Sequence, residues 1–180
     1  MADLVTNDEV NAYLGTNGVD YSADIKRASR RVEAKIGPVI YTSFTEKHDG
    51  GYDRFLLGYS PLVIGSVAIT DNEIGQAVDP ADFIEDEAGV VYKRAGIWGH
   101  GRNRFTVVYQ AGRVPDAASV SEDIKEAVLI LVKAARSGGA TTVVRSRRIG
   151  SWQEEYDTQQ GGSVLDEVNE LLAPYMGVGI

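Results

Sequence analysis

Apolar positions recur at helical spacing near both ends of the chain, and between them they fall into short alternating runs. Thr6 followed three residues later by Glu9 forms a capping box, which predicts a short helix through Tyr13 and Leu14 ending at Gly15. A second start at Ser22 is followed by Ile25, Ala28, Ser29, Val32 and Ile36, the inward stripe of a helix that Gly37 and Pro38 stop. Its opposite face carries Lys26, Arg27, Arg30, Arg31 and Lys35. From Val39 to Gln110 the texture changes to β-branched and aromatic runs punctuated by Asp, Asn and Gly, the pattern of antiparallel strands and hairpins. Strands are expected near Val39 to Phe44, Arg54 to Leu57, Leu62 to Thr70, Phe83 to Glu85, Val90 to Lys93 and Phe105 to Gln110. Turns are expected at Asp49-Gly50-Gly51, Asp71-Asn72 and Glu87-Ala88-Gly89.

Pro115 and a box from Ser119 to Glu122 predict the strongest helix, through Ile124, Ala127, Val128, Leu131 and Ala135 to a stop at Gly138-Gly139. Leu129 falls on its polar side with Glu122, Lys125, Lys133 and Arg136, so the middle of this helix is apolar nearly all round. Either another element or another subunit covers it. After a polar, extended stretch from Thr141 to Gln160, a last helix is expected from Ser163. Val164, Leu165, Val168, Leu171, Leu172 and Tyr175 form one arc, and Asp166, Asn169 and Glu170 the other. The order of elements gives an α+β fold: a small antiparallel sheet with hairpins, flanked by an α-helical bundle. The expected organisation is a core domain over 1–140 and a C-terminal arm over 141–180 that ends in a helix and docks at home or on a neighbour.

Charge and composition narrow the function. Against 18 Lys and Arg stand 26 Asp and Glu, a net charge of -8, which disfavours general phosphate gripping. There is no Cys, which excludes disulfides, thiolate metal sites and thiol nucleophiles. MADLVTNDEV lacks the basic stretch and apolar run of a signal peptide, and the longest fully apolar run, Ala127 to Val132, is too short for a bilayer, so no membrane segment is expected.

Candidate chemistry is sparse. His48 in EKHDGG and His100 in WGHGR lack metal-motif spacing and read as solvated loop histidines. No nucleophile elbow, phosphate loop or dinucleotide fingerprint occurs. Gly99, Gly101 and Arg102 form either an anion cradle or, the favoured reading, a hairpin loop. The acidic runs Glu85-Asp86-Glu87 and Asp71-Asn72-Glu73 lack calcium-loop spacing and read as solvated hairpin turns. The basic face from Lys26 to Lys35 and the run Arg145-Ser146-Arg147-Arg148 read as solvated faces first, as sites for an acidic protein partner second and for nucleic acid last. Trp152 and Tyr156, large aromatics in a hydrophilic segment, have the character of interface anchors.

The ordered segments resemble the head–tail connector, or adaptor, family of tailed phages. These are a helix ending YLG, a helix ending VEAKIG, SPLVIGSVAITDNEIG, the hairpin ADFIEDEAGVVYKRAGIW, the entry RFTVVYQAGRVPDAASVSEDIKEAVLILVKAA, and RIGSWQEEYD before a helix ending LLAPYM. The resemblance spans roughly Thr6 to Met176 and rests on packing and turn patterns. It implies a structural virion protein of the neck, assembled in the host cytoplasm, with no catalytic residues and no cofactor. Such a subunit would form a homo-oligomeric ring, usually of twelve, between the portal protein and a tail-side stopper or tail terminator protein, with genomic DNA passing through the channel without specific binding. On that expectation Trp152, Tyr156, Leu171, Leu172, Tyr175 and Met176 dock on the portal. Leu129, Val132, Arg30 and Arg31 meet the neighbouring subunit, and the hairpin tips Asp49, Gly50, Asp53, Asn72 and Glu73 face the tail. The competing readings are a small enzyme or metal-binding accessory protein using His48, Asp49, Asp53 or the acidic hairpins, and a nucleic-acid-binding module using Arg27, Arg31, Arg145, Arg147 and Arg148.

Overall fold

The computed structural model describes residues 3–137, 147–149, 152–154 and 159–176. The chain forms two compact units, Met1–Ile36 with Val120–Ile180, and Gly37–Ser119. The expected α+β class holds: among the described residues there are four α-helices and antiparallel sheets of four and three strands.

In the first unit, α1 (Asn7–Leu14) starts at the expected capping box. The Thr6 N–H donates to Glu9 Oε2 at 2.6 Å and the Glu9 N–H donates to Thr6 Oγ1 at 3.2 Å. It stops at Gly15, whose φ of 65° is a left-handed conformation that glycine adopts without Cβ strain. α2 (Ser22–Ile36) is preceded by Asp20, whose Oδ1 accepts from the Ser22 N–H at 2.9 Å and from its hydroxyl. It buries Ile25, Ala28, Ser29, Val32 and Ile36, the stripe read from the sequence, and Ser29 is tolerated there because its Oγ accepts the Leu4 N–H at 3.2 Å.

α3 (Glu122–Arg136) is the centre of this unit, packed by α1, α2 and α4 (Gln159–Leu172). It buries Ile124, Ala127, Val128, Ile130, Leu131, Val132 and Ala134, so its wide apolar girth is covered by its own unit. Its start differs from the expected box. Ser119 instead closes a 3-10 turn (Ala117–Ser119), with its N–H and hydroxyl both on Asp116 Oδ1 at 2.9 Å, and the cap residue Ser121 makes no side-chain cap bond. α4 begins four residues before the expected Ser163 and carries Gly161 and Gly162 within it, a cost of about 1 kcal/mol each relative to alanine. Val168 and Leu172 are buried. Between α3 and α4 a short hairpin pairs β8 (Arg147–Ile149) with β9 (Trp152–Glu154). The expected stop at Gly138-Gly139 lies outside the described residues.

In the second unit, β1 (Thr42–His48), β7 (Phe105–Ala111), β3 (Ala68–Asp71) and β4 (Gln76–Ala77) form one sheet in that order, and β2 (Arg54–Leu56), β6 (Val90–Lys93) and β5 (Phe83–Asp86) form the other. β7 alternates cleanly, Phe105, Val107, Tyr109 and Ala111 inward, because successive side chains leave opposite faces of a strand. Both sheets share one core. Phe55, Val91 and Phe83 meet Ile69, Phe105, Val107 and Tyr109, and Trp98 stacks on Phe55 with centroids 4.4 Å apart. Full burial of each such side chain contributes about 1.5–3 kcal/mol. The expected strand from Leu62 shrinks to Ala68–Asp71. The Ser66 N–H turns back to the Val63 carbonyl, and Gly65 sits at φ 84°, so Leu62 keeps only an isolated bridge to Ala111. No helix among the described residues is long and apolar enough to cross a membrane.

Candidate functional site

The β unit gathers both predicted tail-side tips into one loop cluster. Asp49 Oδ1 accepts from the Asn103 N–H at 2.6 Å, the Gly50 N–H donates to the Gly101 carbonyl at 2.8 Å, and the Asn72 N–H donates to the Arg104 carbonyl at 2.7 Å. The segment from Trp98 to Arg104 thus ties the loop at 49–53 to the β3–β4 turn. Asp53 pairs with its neighbour Arg54 at 3.0 Å and stays at the rim.

Arg104 is the keystone. It donates from Nη2 to Asp71 at 2.8 Å and from Nη1 to Glu73 at 2.5 Å and to the His100 carbonyl at 2.9 Å. Asp71 is buried, and the Arg104 hydrogen bonds outweigh desolvation and hold its carboxyl below the usual range. The guanidinium lies close over Gly99: a Cβ there would stand 2.8 Å from Arg104 Cζ, so a larger residue would push the arginine aside. The arginine in this loop that does the fastening is therefore Arg104, not Arg102, and WGHGR is not the expected hairpin loop: it joins β6 to β7, which lie in different sheets and do not pair. In the sequence Asp71 stands only as part of an acidic run expected to be solvated and Arg104 is not singled out, because nothing local links residues so far apart; Asp71 is instead buried against that arginine. The available signal was an arginine directly before the alternating strand Phe105–Ala111.

His48 is not the solvated loop residue expected from sequence. It lies half-buried on β1, stacked on Phe55 at 5.0 Å, with Nε2 3.3 Å from Glu46 Oε2. His100 is exposed. Among the described residues no group of three or more His, Asp or Glu is placed to hold a metal ion. The other polar cluster fastens a loop: Glu46 Oε1 accepts the Tyr109 hydroxyl at 2.5 Å, and the Gly58 N–H donates to the same carboxylate. Burial, and then the Glu46 charge, push the Tyr109 phenol well above its ordinary value, so it stays a hydrogen-bond donor.

In the helical unit the predicted interface residues separate. Val132 is fully buried, enclosed by the helices around α3, and so has no surface left for a neighbour, while Leu129 is half-buried. Arg30 and Arg31 are exposed. Leu172 is fully buried, so α4 docks at home. The Tyr175 hydroxyl donates to Ser121 Oγ at 2.9 Å, Leu171 is half-buried and Met176 remains exposed. Trp152 belongs to β9, but its side chain, like all of Tyr156, lies outside the described residues.

No family model matches the sequence, and no curated protein matches it. Solved structures do match the fold. A chain titled as the neck of an empty gene transfer agent (GTA) particle computed with C6 symmetry aligns over 100% of this chain and 94% of its own, with TM-score 0.64 and 14% identity. A chain from the virion of the native GTA particle aligns over 98% and 91%, with TM-score 0.64 and 15% identity. A chain from the neck of the native particle computed with C12 symmetry aligns over 88% and 84%, with TM-score 0.55 and 14% identity. The protein therefore has a fold found in the neck of virion-like particles, in accord with the resemblance to head–tail connector proteins read from its sequence.

Proposed function

We propose that this chain is a structural subunit of a virion neck, and that copies of it form a ring between a portal protein and a tail-side stopper or tail terminator protein. The observation that carries this reading is the likeness of fold to chains from the neck and the virion of GTA particles, over nearly the full length of both partners. DNA passes through the ring without being gripped, in keeping with a net charge of -8 on every copy. Subunits reach the virion after assembly in the host cytoplasm, and the role is non-enzymatic.

Within that role the loop cluster of Asp49, Gly50, Asp53, Asn72 and Glu73 faces the tail side. Its backbone is already fastened through Arg104, so docking costs little ordering entropy. Trp152, Tyr156 and the exposed Met176 contact the portal, with Leu171 and Tyr175 beside them. Removing all of 141–180 is a poor test of that contact, because Val168 and Leu172 are buried inside the helical unit. The test is negative-stain electron microscopy of the full chain alone and mixed with its cognate portal, beside a Trp152→Ala, Tyr156→Ala variant. Rings, or a new layer on the portal that the variant fails to add, are expected. Single-subunit particles in every sample overturn the reading.

A further inference from the structure

The surface of the helical unit is sorted by charge. On α2 the side chains of Lys26, Arg27, Arg30 and Arg31 are exposed, and among the described residues none has an ion pair or hydrogen bond. Other described cations of the unit have partners: Lys125 pairs with Glu9 at 3.3 Å, Arg136 with Asp24 at 2.7 Å, Lys133 lies over the Tyr13 ring at 5.8 Å, and Lys35, at the end of α2, meets the Asn169 side-chain oxygen. Four like charges at spacings of three and four along one helix repel each other and weaken it. Among the described residues no ion pair offsets that cost.

The opposite sign collects elsewhere in the unit. Asp166, Glu167 and Glu170 of α4 are exposed, and Glu126 of α3 is exposed beside them. α3 packs against α4, and Tyr13 lies near both: burial first, and then the charges of Glu126 and Glu167, push its phenol up, with Lys133 Nζ 5.8 Å from its ring. On the wheel of α4, Asn169, which meets Lys35 of α2, and Glu167 lie on opposite sides of the buried residue Val168. Glu167 therefore turns away from α2, whereas Asp166, one turn before Asn169, lies on the α2 side, and among the described residues no ion pair joins the cations of α2 to the acids of α4.

We infer that the cationic face of α2 docks on the acidic face formed by Glu126, Glu167 and Glu170 of a second copy. Two different, complementary patches on one subunit make a heterologous, head-to-tail contact, which is the kind of interface a closed ring is built from. The inference rests on the ring reading above and names its contact surface. Because the patches are solvent-facing, the contact weakens as salt shortens the screening length.

The test uses sedimentation velocity of the full chain at low and high salt. One variant carries Arg27→Glu, Arg30→Glu and Arg31→Glu, the other Glu126→Lys, Glu167→Lys and Glu170→Lys. All six positions are exposed, and circular dichroism checks that each variant is folded. Each alone is expected to self-associate about tenfold or more weakly than wild type, and an equal mixture to recover association, since each variant then meets its complement. Wild-type association that survives in either variant overturns this interface while leaving the ring standing. A wild-type chain that stays monomeric both alone and on its portal overturns the ring and the interface together. Retention on duplex DNA that the α2 variant abolishes, with self-association unchanged, assigns the cations to phosphate and also overturns the proposal. The cysteine-free chain offers a geometric check: mild oxidation of an Arg30→Cys, Glu170→Cys variant is expected to give a ladder of multimers where either single variant gives none. No ladder overturns the head-to-tail pairing.

Discussion

The helical unit fills its core mainly with aliphatic and small side chains, Leu4, Val10, Ile25, Val32, Ala127, Val128 and Leu172, with Tyr21 among them, whereas the β unit sets a cluster of rings, Phe55, Phe83, Trp98, Phe105 and Tyr109, among its aliphatics. Their surfaces differ too. At the loop end of the β unit Arg104 is fastened to Asp71 and Glu73, while α2 leaves four cations unpaired among the described residues. The difference shows two ways to prepare a surface for assembly. A loop cluster is made rigid by consuming its own charges. A helix is rigid already through its backbone hydrogen bonds, so it can keep its charges free for a partner.

The sharpest way to break the comparison is at the two cores. Trp98 stacks on Phe55 and lies edge-on to Phe105 at 5.3 Å, and it is 1% exposed, so Trp98→Ala leaves a cavity between the two sheets. A loss of about 4 kcal/mol is expected, read from denaturant midpoints and from faster amide exchange in β2, β6 and β7. A loss below about 1 kcal/mol would mean that the aromatic stack is not what holds the sheets together. Leu172→Ala deletes an aliphatic side chain from the end of α4, where neighbours can partly close the gap, and about 3 kcal/mol is expected. If helical circular dichroism and midpoint are unchanged, α4 does not complete the core around α3, and its apolar arc is free to serve another chain.

Local signals carried much of this. The Thr6 and Glu9 box, the α2 stripe from Ile25 to Ile36 and the alternation from Phe105 to Ala111 are each written within one element, and each element formed where those residues stand. What escaped was non-local. Asp71 and Arg104 are 33 residues apart and Glu46 and Tyr109 are 63 apart, so no window of sequence shows the pairing. Ser119 and Glu122 have the spacing of a capping box, yet Asp116 captured the serine first, since a local acceptor competes with the helix end. Val132 and Leu172 looked like spare apolar surface because periodicity shows that a face is apolar without showing what covers it. The charged face of α2 was legible as a face, but its acidic counterpart spans two helices far apart in sequence and emerges only once α4 lies against α3.

The smallest effect concerns the fastened loop cluster. Asp71 titrates below its ordinary value of 3.8 because Arg104 bonds its carboxylate, and in the unfolded chain that partner is lost. A carboxyl with a depressed native pKa binds its proton more readily when unfolded. The pair's contribution is therefore complete above the unfolded pKa and fades as pH falls through the native one. Asp71→Asn keeps the size of the side chain and removes the charge. Stability should fall by about 1 kcal/mol at neutral pH, a figure held down by solvent screening at the partly exposed arginine. The gap between wild type and variant should close as the pH drops below about 4, as thermal melts at several pH values would report. A gap that stays constant down to strongly acid pH would mean that Asp71 acts through its hydrogen bonds alone. The contrast between a β unit that consumes its charges and a helical unit that keeps them free would then lose its electrostatic half.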